Sequence, residues 1–249
     1  MRSRRAPVTV LATALAVALS AVAAAGAQPA RSSARITVLA ASSLADVLPR
    51  IDRAPRYSFA GSDTLAGQIR LGAPGDVFAS ANTALPEQLH AEGLAEKPVV
   101  FTANALVLIT PRSNPARIRA VGDLRRRGIK LLVGTESVPI GAYTRRVLHN
   151  LSLTAALANV ASEESDVRSI LGKIALGEAD AGFVYATDAS SVAGRVRVLP
   201  LPARGQPQVR YGIAVLRSTR DRPAAVAFVR RVLSDAGQAR LAAAGFDRP

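Results

Sequence analysis

Short apolar runs rich in β-branched residues alternate along this chain with segments of helical period, and this alternation limits the fold more than any other feature. Strands that each lead into a helix pair as βαβ units, which implies parallel sheets and an α/β class. The first run, ITVLAA at 36–41, is expected to be a buried strand. Ser42 and Ser43 follow it, then Leu44, Val47, Leu48 and Ile51 at helical spacing, so a helix is expected from Ser43. Further strands are expected at 57–60, 76–80, 104–110, 130–134, near 160, and at 179–185, 195–201 and 210–216. Helices are expected at 64–71, 83–95, 121–127, 142–151 and 167–176, with two more within 221–245.

The residues standing where strand meets helix carry the functional information. Five such junctions hold small or hydroxyl residues and no basic one: 41–43, 61–62, 139–141, 166–167 and Tyr185. At the carboxyl end of a parallel strand the next helix presents free backbone N–H groups, and its dipole adds partial positive charge. A Ser placed there offers its hydroxyl as well. Several such ends meeting at one point would hold an oxyanion without any Lys or Arg. Each junction also has a plainer reading. Ser43 and Ser62 would serve as ordinary N-caps, 139–141 as a turn, Val167 as a helix residue and Tyr185 as a core ring. The functional reading rests on the five together.

Composition removes several rival chemistries. The chain has no Cys, which excludes disulfides, thiolate metal sites and Cys nucleophiles. Its two His, His90 and His149, are far apart in sequence, against His-rich metal sites. No G-x-S-x-G elbow, HExxH or Walker A pattern occurs, so an exported Ser hydrolase is a poor fit. The net charge of +14 raises the question of a nucleic-acid partner. The basic residues, however, are spread along the chain in short groups such as 125–127, 145–146 and 230–231, with aromatics only 4%. They read as a solvated surface, and no nucleic acid is expected.

The N-terminus has a basic start with Arg2, Arg4 and Arg5, an apolar run from Val8 to Ala25, and an A-x-A end at 25–27. These are the parts of a secretory signal peptide, with cleavage expected after Ala27. A Pro/Ser/Arg linker at 28–35 would follow, ahead of an exported mature protein.

Six stretches stand in the order found in a known family. They are ITVLAASSL at 36–44, FAGSDTLAGQI at 59–69, GAPGDVFASAN at 72–82, VPIGAY at 138–143, DVR at 166–168 and GFVYATD at 182–188. The chain resembles periplasmic molybdate-binding proteins, the substrate-binding components of molybdate ABC importers. The resemblance runs from Ile36 to Phe246. It implies a two-lobed periplasmic binding protein fold of type II, with lobe one at 36–107 plus 210–249 and lobe two at 108–209. Ser43, Ser62, Ile140, Val167 and Tyr185 are the implied contacts of an oxyanion held in the cleft. Molybdate or tungstate is the implied ligand, with sulfate as the alternative anion, and molybdenum enters only as that bound anion. No other cofactor and no catalysis are implied. The implied location is the periplasm, and the implied partners of this monomer are a membrane permease and its cytoplasmic ATPase. Two departures from the family pattern stand out. The segment between Ser43 and Ser62 is short, so helix one, or the loop after it, is expected to be truncated. Asp63 stands where Ser is common, and it is expected to cap its helix facing outward.

Overall fold

The computed structural model describes residues 35–249. The expected signal peptide at 1–27 and all but the last residue of the linker lie outside them. Two five-stranded sheets, each flanked by helices, form two lobes.

The first lobe opens with β1 (Thr37–Ala41), a three-residue 3-10 turn (Ser42–Leu44) and a one-turn helix, α1 (Leu48–Ile51). Then come β2 (Arg56–Ala60), α2 (Ser62–Arg70), β3 (Val77–Ser80), α3 (Ala84–Ala91) and β4 (Val99–Asn104). The second lobe holds β5 (Leu106–Pro111), β6 (Leu131–Gly134), α4 (Pro139–Asn150), β7 (Val160–Glu164), α5 (Val167–Leu176), β8 (Ala181–Tyr185), α6 (Ala186–Ser191) and β9 (Val196–Pro200). The chain then returns through β10 (Val209–Val215) and ends in α7 (Arg222–Leu233) and α8 (Asp235–Ala243).

The sheets are mixed, which corrects the expectation of parallel ones. The strand orders are β2-β1-β3-β10-β4 and β7-β6-β8-β5-β9. In the first, β10 runs against β3 and β4; in the second, β5 runs against β8 and β9. The reason lies in where the chain crosses between lobes. Leu106, the first residue of β5, pairs with Tyr185, the last of β8. Val209, the first of β10, pairs with Asn104, the last of β4. Both strands enter at the carboxyl edge of a neighbour, so each must run against it.

Two local expectations also change. The run at 104–110 is not one strand, because β4 ends at Asn104 and β5 starts at Leu106 in the other sheet. Continuous hydrophobicity conceals this break, since Phe101 and Leu106 are both fully buried on their own sheets. No long helix follows Ser43 either. Leu44, Val47 and Leu48 are buried as expected, but the chain turns back to β2 after one helical turn. One hydrophobic core runs under both lobes, and a smaller one lies under α2 and α3.

Candidate functional site

All five residues singled out from the sequence line one small chamber between the lobes. Ser43 lies in the 3-10 turn after β1, and Ser62 is the first residue of α2. Ile140 follows Pro139 at the start of α4, Val167 is the first residue of α5, and Tyr185 closes β8. Each is at most 3% exposed. The chamber is small, measuring about 10 Å³. Among the described residues no Lys or Arg lines it.

Local geometry leaves the donors free. The first turn of a helix has N–H groups without intrahelical acceptors, and α2, α4 and α5 all start at the chamber. Ser43 and Ser62 are not caps: neither the turn nor α2 has a side-chain cap. The Ser62 hydroxyl instead accepts the Ala81 N–H at 3.1 Å. An N–H can only donate, so the Ser62 proton is left for another acceptor. Asp166 also lines the chamber, but its carboxylate is committed to capping α5. It accepts from the N–H groups of Arg168 (2.7 Å) and Ser169 (3.2 Å) and from the Ser169 hydroxyl (2.9 Å). Burial pushes the Tyr185 phenol well above its ordinary pKa, so it keeps its proton, and its oxygen has no hydrogen-bond partner in the protein.

Polar contacts close the cleft beside the chamber. Asp63 accepts from the Ser137 hydroxyl of the other lobe at 2.5 Å. This replaces the expected helix cap, and the geometry explains it: Ser137 lies within reach across the cleft, in the turn before α4. Arg168, on α5, pairs with Asp46 of the first lobe, and its Nε lies 2.8 Å from Asp188 Oδ1. The second contact lacks the alignment of a hydrogen bond. Among the described residues no three His, Cys, Asp or Glu side chains gather as a metal site.

Asp188, on α6, closes the GFVYATD stretch of the resemblance but is not among the five residues expected at the site. It is fully buried. Burial raises its pKa from 3.8 to about 7; the neighbouring Arg168 opposes the rise, while Asp46 and Asp166 add to it. The folded protein thus holds a proton there that the unfolded chain has released. Stability from this group is fully present below about pH 4 and is lost as pH rises from about 4 to about 7. Thermal melts across that range should show the midpoint declining in the native chain and a flatter profile in Asp188→Asn. Equal slopes in the two proteins would refute the assignment.

With the geometry in place, relatives can be compared. The family model for bacterial extracellular solute-binding proteins matches residues 12–247. The chain belongs to that family. It is 40% identical over 194 residues to the molybdate-binding protein ModA of Mycobacterium tuberculosis, covering 78% of this chain and 73% of the relative. The solved periplasmic molybdate-binding protein of Azotobacter vinelandii superposes with a TM-score of 0.77 at 24% identity, covering 86% of this chain and 100% of the other. The sulfate-binding protein SubI of Mycobacterium tuberculosis superposes at 0.73 with 16% identity, covering 86% of each chain. The two-lobed fold expected from the resemblance therefore holds. The fold is shared by binders of different anions, so the anion must be argued from the donors.

Proposed function

We propose that this chain binds molybdate, and tungstate with it, between its lobes and delivers the anion to an ABC importer. The convergence of five uncharged donor residues on one chamber carries the reading. Ser43 and Ser62 each offer a hydroxyl and a backbone N–H, Ile140 and Val167 a backbone N–H, and Tyr185 its phenol. Molybdate is a tetrahedral dianion, and burying it requires a donor for every oxygen. Charge-assisted hydrogen bonds of this kind contribute about 1.5–3 kcal/mol each. Donors fixed to helix starts set the size of the cavity, which favours molybdate and tungstate over the smaller sulfate. The 40% identity to a molybdate-binding protein supports the same anion.

Binding, not catalysis, is the whole of the chemistry. Ser43 and Ser62 come from one lobe and Ile140, Val167 and Tyr185 from the other, so a bound anion favours the closed state. The closed monomer would dock on a membrane permease, and a cytoplasmic ATPase would drive release. Export to the periplasm with cleavage after Ala27 belongs to the same proposal.

Calorimetric titration of the mature protein with molybdate, tungstate, sulfate and phosphate tests it. Molybdate and tungstate should bind tightest, and tighter binding of sulfate would replace the reading. Ser43→Ala should weaken molybdate about tenfold, or ~1.4 kcal/mol, with the apo fold intact. Unchanged affinity would remove Ser43 from the site.

A further inference from the structure

The hydroxyls of Ser43 and Tyr211 lie 3.0 Å apart, buried, and taken alone either could be the donor. Their surroundings decide. The Ala105 N–H donates to Asn104 Oδ1 at 2.9 Å. This turns the Asn104 amide so that its NH₂ faces Thr187 Oγ1 at 2.9 Å and the Tyr211 hydroxyl at 3.5 Å. An amide NH₂ only donates, so the Tyr211 oxygen must accept from it. The buried Tyr211 proton still needs an acceptor, and Ser43 Oγ is the acceptor within reach; the Tyr211 proton goes there, and the Ser43 proton is left for the chamber.

We propose that Tyr211 is a positioning residue for anion binding: with Asn104 it orients the Ser43 hydroxyl so that Ser43 presents its hydrogen to the guest. The inference rests on the anion-binding reading above. It parallels what the Ala81 N–H does for Ser62, and each arrangement starts at a backbone N–H that can only donate. At Ser43 the starting point is the residue that links the two sheets, Ala105, between β4 and β5. Tyr211 itself cannot swing away. It is fully buried on β10, and the rings of Phe101, Tyr185 and Phe246 pack edge-on against it at 6.2, 5.8 and 5.7 Å. Burial also raises its pKa well above the ordinary value, which keeps the phenol protonated. A line of hydrogen bonds all pointing one way polarises each member and strengthens the last donor.

A double-mutant cycle separates this role from a structural one. Molybdate is titrated calorimetrically into the native chain, Tyr211→Phe, Ser43→Ala and the double variant. Tyr211→Phe keeps the ring and its packing, and should weaken binding about five- to tenfold. In the Ser43→Ala background the same change should do nothing further, because the hydroxyl it orients is gone. Equal fold-losses in both backgrounds, or no loss in the native one, would overturn the proposal. If Tyr211→Phe fails to give a cooperative melt, Asn104→Leu takes its place, with the same loss expected and the same dependence on Ser43. A native chain that binds no molybdate would instead refute the anion reading itself, before the cycle begins.

Discussion

Gly61→Ala should fold normally and yet bind molybdate about a hundredfold more weakly, or worse, a loss of at least ~2.7 kcal/mol. Gly61 precedes α2 with φ −57° and ψ 139°, a conformation open to any residue. Its lack of a side chain therefore matters for space. A Cβ at this position would lie 2.3 Å from the Ser165 carbonyl oxygen and 3.3 Å from Val138, both on the opposite lobe. Ser165 immediately precedes the capped start of α5, so that carbonyl cannot retreat without moving the Val167 N–H. The clash exists only when the lobes are shut. Within its own lobe the nearest atom to the new methyl is Asp63 Oδ1, at 2.8 Å, at the end of a side chain that can turn. The variant should hold the cleft ajar and lose the combined grip of donors from both lobes. Calorimetry with the apo melting temperature as control checks this. Affinity within about threefold of the native value would show that closure to this distance is not needed.

Tyr185→Phe should lower affinity without lowering stability. The phenol oxygen is buried and without a partner in the protein, a state that costs about 1–3 kcal/mol. In the open, ligand-free cleft water reaches the phenol, so removing it should leave the apo melting temperature unchanged or slightly raised. The same deletion takes a charge-assisted donor from the anion and should weaken molybdate about ten- to a hundredfold. A structural tyrosine would behave the other way, with stability falling and affinity following it down. An apo protein destabilised by the change, or affinity left as it was, would take Tyr185 out of the site.

The two variants differ in what the sequence reveals about them. Tyr185 is visible as a hydroxyl at the end of a strand, and so are Ser43 and Ser62 at their junctions, because strand-to-helix switches are local events written in a few residues. Val167 shows in the same way: the expected helix at 167–176 is α5, with Asp166 as its cap. Gly61 is legible as a small residue at its junction, but the reason for it is not, since the atom it avoids is Ser165 O, distant in the chain. Asn104 and Tyr211 are silent. In the sequence they are ordinary residues of two strands, and only the pairing of β10 with β4 puts their side chains together. Asp63 was legible as a carboxylate at a helix start, but its partner Ser137 was not, because the contact spans the cleft.

From the chain of residues alone came the α/β class, the strand-to-helix junctions and the five positions with uncharged donors, since each depends on neighbours a few residues apart. The tertiary structure decided the strand directions, the break at Ala105, the burial of Asp188 and the hydrogen-bond partners of Ser43, Ser62 and Asp63. Most of these depend on where the chain crosses from one lobe to the other; the Ser62 partner, Ala81, depends instead on β3 lying beside β1. A crossing brings together groups that are about a hundred residues apart, and no local pattern of hydrophobicity or capping encodes which of them will meet.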